Sequence, residues 1–142
     1  MKPLATALIA GLSLWGVSAA RADCLRAEDI APAHFVGTWA VTLAATPGQR
    51  PERGLLQLQP HPLYADSLKG ALQRGARSVQ VVADWEDETL TFEESEDGER
   101  ISATWQARAV AGQCARVFEG VRFTGDAPDA SAQRFRLRAE RP

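Results

Sequence analysis

Asparagine is missing from all 142 residues. No N-glycosylation acceptor can therefore exist, and a ligand site would have to draw its amides from glutamine. Signatures of catalysis are missing too: there is no Gly-x-Ser-x-Gly, no His-Glu-x-x-His, no Cys-x-x-Cys and no Gly-rich phosphate loop. The imidazoles number two, His34 and His61, and so do the cysteines, Cys24 and Cys114. Such a supply is poor for a transition-metal site, so neither metal nor cofactor is expected. His61 sits between Pro60 and Pro62, the setting of a turn residue. A long amphipathic helical pattern is also absent. With a formal net charge of −2, a general nucleic-acid binder is not indicated. These absences favour a binding protein over an enzyme.

What is present begins with an export signal. Lys2 supplies the charged end, Leu4 to Val17 an apolar run shorter than a membrane span, and Ala20-Arg21-Ala22 a small-x-small cleavage site. The mature chain is expected to start near Asp23, in the periplasm or outside the cell, with no membrane span. Losing Lys2 and Arg21 takes the net charge from −2 to −4. In an oxidising compartment the two cysteines most simply form one disulfide, enclosing a loop of 90 residues. Cys24 precedes the first strand candidate, so the bond would tie an N-terminal arm to the domain. The expected organisation is a signal at 1–22, an arm at 23–34 and one domain at 35–142. Glu28, Asp29 and Ile30 suit one helical turn, and Pro32 suits an extended approach to the domain.

From Phe35 onward the apolar period is two. Gly37, Trp39, Val41 and Leu43 share one face. Leu56 and Leu58, then Leu68, Gly70 and Leu72, then Val79, Val81 and Trp85 repeat the pattern. Leu90 and Phe92, then Ile101, Ala103 and Trp105, then Val117, Val121 and Phe123, and finally Phe135 and Leu137 complete it. Gly120 interrupts the seventh run and predicts a bulge or bend. Short turns between runs predict consecutive antiparallel hairpins, with loops at 44–53 and 125–133. Eight two-faced strands without a covering helix must bury their apolar side against one another. The prediction is an all-β fold, a single antiparallel up-and-down eight-stranded β-barrel, with its last strand paired to its first. The outer residues are Gln, Thr, Lys, Glu and Arg, unlike a membrane barrel.

Two sets of residues are candidates for function. Trp85, Trp105, Phe92 and Phe123 carry the inward phase; they either fill the barrel or line a cup for a small apolar or aromatic ligand. If a ligand enters, it should do so opposite Trp39, with loop 44–53 at the rim and Trp85 and Trp105 as stacking surfaces. Arg134, Arg136 and Arg138, with Arg116 and Arg122 on the preceding strand, form an outward basic patch. It suits either an anionic partner or ordinary cross-strand ion pairs. The nine acids between Asp84 and Glu99 are read as solvated hairpin ends.

Phe35-Val36-Gly37-Thr38-Trp39 resembles the Gly-x-Trp opening of the calycins, the superfamily of lipocalins, avidins and fatty-acid-binding proteins. The resemblance implies an eight-stranded barrel in which Gly37 permits a tight bend and Trp39 plugs one end. Arg100 to Trp105 is similar to an avidin strand with a ligand-facing Trp. The chain departs from both groups: the central Thr-Asp-Tyr of lipocalins is absent, and so is the Asn of the avidin site. The barrel also resembles small secreted inhibitors of bacterial metalloproteases, which implies a second reading with the arm as the inhibitory element. The expected function is an exported, periplasmic, non-enzymatic binding protein that holds a small apolar or aromatic ligand or an envelope component in or at the barrel; the alternative is a protein-interaction module, such as a periplasmic protease inhibitor, acting through its arm.

Overall fold

The computed structural model describes residues 24–125 and 132–140; the expected signal at 1–22 lies outside the described residues. Eight strands follow one another around a closed antiparallel barrel, each paired to the next and the last to the first. They are β1 (Gly37–Leu43), β2 (Glu52–Pro60), β3 (Ser67–Arg74), β4 (Arg77–Glu86), β5 (Thr89–Ser95), β6 (Ala103–Ala109), β7 (Val117–Phe123) and β8 (Gln133–Ala139). Closure pairs Trp39 with Ala139 and Leu43 with Phe135. Alternation along each strand explains the ring: the inward set Trp39, Val41, Leu43, Leu56, Leu58, Leu68, Leu72, Val81, Leu90, Phe92, Trp105 and Leu137 is buried throughout.

Three boundaries differ from the sequence expectation. The first loop is shorter than 44–53, because Glu52 and Arg53 pair with Leu43 and Thr42. Likewise, Gln133 opens β8 rather than closing a loop. Pro32 does not extend the chain: it begins a second 3-10 turn, Pro32–Phe35, after the first at Ala27–Asp29. Proline suits a first helical position, where its missing N–H costs nothing, and the extended residue is Ala31 before it.

Gly37 enters β1 at φ +129, a conformation that other residues rarely adopt. This bend brings the Trp39 indole back beneath the arm, where Nε1 donates to the Phe35 carbonyl at 2.9 Å. Phe35, Trp39, Trp85 and Phe118 then pack together, with ring centroids 5.1 to 6.1 Å apart, and seal this end. The Cys24–Cys114 disulfide ties the arm down at the same end, and Ile30 is buried with the core. The disulfide is as expected, and Trp39 is buried at this end of the barrel. By contrast, Trp85 stands in the plug, half-buried, and not at the opposite mouth.

Inward-facing Gly70 and Gly120 serve a different purpose. A Cβ on Gly70 would lie 1.7 Å from the Gln57 carbonyl oxygen, and one on Gly120 would lie 1.7 Å from that of Gln106. Neighbouring backbones can approach this closely only without a side chain, as at the bends of a small closed barrel. Gly120 is not a bulge: β7 keeps an unbroken register with β6 and β8.

Candidate functional site

The interior is filled. Phe92 stacks on Trp105 with centroids 4.9 Å apart, and Phe135 meets both edge-on at 5.9 and 4.7 Å. All three rings are buried. Of the expected ligand-facing set, Trp105 and Phe92 thus form core, and Trp85 forms plug. Phe123 is on the outer phase. The inward residues of β7 are Phe118, Gly120 and Arg122, while Glu119 and Val121 face out. The phase misleads in sequence because Val117 and Phe118 are adjacent and both buried, and Gly120 has no side chain to mark a face.

The end opposite Trp39 closes with charge. Glu94, inward on β5, is 2% exposed. Its Oε1 accepts a hydrogen bond from Arg122 Nη2, and its Oε2 lies 3.6 Å from Arg74 Nη2. Arg74 also reaches Glu52 at 3.4 Å, at the rim. The Arg122 guanidinium sits 5.4 Å from the Trp105 ring centroid. A carboxylate taken out of water needs such partners. Arg122 is therefore not part of the outward patch, and Glu94 is not a solvated hairpin acid. Sequence did carry a signal: Glu94 continues the alternation of Leu90 and Phe92.

A concave feature lies outside the barrel over each close-approach glycine, and another of about 530 Å³ lies between the arm and the start of β1. The one over Gly70, about 640 Å³, crosses β2 to β5. Register builds its floor. One row runs Gln57, Ala71, Gln80, Ser95 across four strands, and the next runs Gln59, Lys69, Val82, Glu93. Its wall is the β5–β6 loop, contributing Gly98 to Ile101. Asp97 pins that loop: its Oδ1 accepts from the backbone N–H of Glu99 at 2.9 Å and of Arg100 at 2.8 Å. The Ser95 hydroxyl accepts from the Gly98 N–H at 2.9 Å. The backbone donors of Arg100 and Glu99 hold the Asp97 carboxyl below its ordinary range. Ile101 and Val82 remain exposed in the groove at 59% and 43%. The feature over Gly120, about 600 Å³, lies beside Thr91, Gln106 and Arg108.

Arg116, Arg134, Arg136 and Arg138 are exposed on the outer wall, as expected. Among the described residues no three His, Cys, Asp or Glu side chains are grouped to hold a metal, and no helix is long and apolar enough to cross a membrane.

No protein-family model and no curated protein matches the chain. Solved structures do. A redesigned β-barrel, b11L5F_LGL, superimposes with TM-score 0.52 at 19% identity, over 78% of this chain and 96% of its own. The redesigned β-barrel mFAP1, bound to DFHBI, gives TM-score 0.51 at 21% identity, over 77% of this chain and 98% of its own. At this identity the likeness is one of fold: the chain is built as a small closed β-barrel of the kind that such proteins use.

Proposed function

We propose that the protein is an exported, periplasmic binding protein without catalytic activity, and that it holds a small hydroxyl-rich ligand, an oligosaccharide of the cell envelope, in the groove over Gly70. The observation that carries this reading is the pair of cross-strand rows on the groove floor. Gln57, Gln59 and Gln80 each offer an amide donor and an amide acceptor, which matches the dual character of a sugar hydroxyl. Lys69 adds donors and Glu93 acceptors, while Val82, Ala71 and Ile101 offer apolar surface to C–H faces. The volume is that of a small-ligand site. A disulfide between arm and barrel suits an oxidising compartment, in keeping with the leader pattern. The mFAP1 barrel binds a small molecule on the same architecture, which supports a ligand-binding use of the fold, as does the calycin-like Gly37-x-Trp39 opening.

The alternative, an arm that enters a protease cleft, fits less well. Residues 24–36 are clamped by the disulfide and by the burial of Ile30 and Phe35.

Titration calorimetry with neutral chito- and malto-oligosaccharides tests the proposal. Wild type should bind at least one series, and Gln57→Ala with Gln80→Ala should lower affinity at least tenfold with an unchanged melting temperature. Absence of heat with every series, or equal binding by the double variant, would overturn it.

A further inference from the structure

A second surface is set apart by charge rather than shape. Register places Arg108, Glu119, Arg136, Thr42 and Arg53 in one row across β6, β7, β8, β1 and β2. Arg134 stands on one side of that row and Arg138 on the other, both on β8. Arg116 precedes β7. All six arginines are exposed. The acid in this row is Glu119, which pairs with Arg136 at 3.0 Å; among the described residues the other five have no ion-pair partner. Exposed Leu55 and Val121 lie among them. Exposed Glu52 and Glu140 border the arginines beside Arg53 and Arg138, and Glu86 and Asp87 border them beside Arg108; Asp84, Glu88, Glu93, Glu96, Asp97 and Glu99, on β4, β5 and their turns, lie beyond.

We propose that this arginine wall docks the protein onto an anionic membrane surface, with lipid phosphates as its counterions. Three observations favour a bilayer over a soluble polyanion. The protein is acidic overall, so a flexible polyanion that wrapped it would meet the acidic half. A plane meets one face only, here β7, β8 and β1 with Arg116, Arg134, Arg136 and Arg138; Arg108 and Arg53, four strands apart in a ring of eight, flank that face. Eight strands about 4.8 Å apart set β4, opposite β8 in the ring, more than ~10 Å away, which is a Debye length or more at physiological salt, so the acids of β4 are screened from a surface at β8. Arginine forks bind phosphate bidentately, and their stems together with Leu55 and Val121 give apolar contact at the headgroup level. The wall is separate from the groove over Gly70, so docking leaves that site open.

The test is sedimentation of the wild-type protein with vesicles of phosphatidylcholine alone and of phosphatidylcholine with one-third phosphatidylglycerol, at low and physiological salt. Binding to the anionic vesicles, weakened by salt and absent with phosphatidylcholine, is expected. Arg134→Glu should lower the partition coefficient at least tenfold, since each cationic side chain near such a surface contributes roughly fivefold. Arg77→Glu makes the same change in net charge away from the wall, on β4, and should lower it less than threefold. Far-UV circular dichroism of both variants should match wild type. Equal losses in the two variants, binding that ignores lipid charge, or capture by soluble heparin in preference to vesicles would each overturn the proposal.

Discussion

The two ends of the barrel are closed by opposite chemistry. At one end Phe35, Trp39, Trp85 and Phe118 pack ring against ring beneath a disulfide-tied arm. At the other, Glu94 lies buried between Arg122 and Arg74 above Trp105. An apolar plug tolerates local loss, because each ring keeps its other neighbours. An ion cluster does not, because removing one member strands a buried charge. Between the two ends pack the buried rings of Phe92, Trp105 and Phe135.

Breaking each end separately sharpens this contrast. At the plug, Cys24→Ser with Cys114→Ser should cost the most, ~4.5 kcal/mol on the chain-entropy argument for a loop of this length. The loss should be read by urea denaturation, with the remaining barrel still folded at low temperature. Arg122→Ala at the mouth should cost about 3–5 kcal/mol by leaving Glu94 under-paired, and Glu94→Gln added to it should recover part of that loss. Additive losses in the double variant would mean that the two residues do not act as a pair. Trp39→Phe should cost less, about 1–2 kcal/mol, for a hydrogen bond to Phe35 and some packing. The smallest effect is expected outside the barrel. Because the Asp97 carboxyl is held below its ordinary value of 3.8, its contribution to the β5–β6 loop is present above that pH. It is lost as the pH falls through the depressed value. Hydrogen-exchange protection of the Glu99 and Arg100 amides, relative to their intrinsic rates, should fall there in wild type, and should already be low at neutral pH in Asp97→Ala.

The contrast also shows what the sequence could and could not reveal. The plug was legible: Gly37-x-Trp39 and a strict period of two mark β1, and the cysteine pair marks the arm. Strand number and closure followed from having eight apolar faces and no helix. The mouth is not legible in sequence because β7 carries Val117 and Phe118 side by side, and a glycine at the position where phase should be decided. A charged residue at an inward position, such as Glu94, looks like a turn acid until its partners on β3 and β7 are known. The groove was hidden for a further reason. Gln57, Gln80 and Ser95 are brought into one row only by the pairing of four strands, and its wall depends on a loop folded back over that row. No local pattern encodes such an arrangement.

The most direct measurement compares the oligosaccharide affinity of Gln80→Ala, a change in the outer groove, with that of Trp105→Phe, a change in the packed interior. At least a tenfold loss for the first and less than a twofold change for the second are expected. The reverse order would place the ligand inside the barrel and contradict the account.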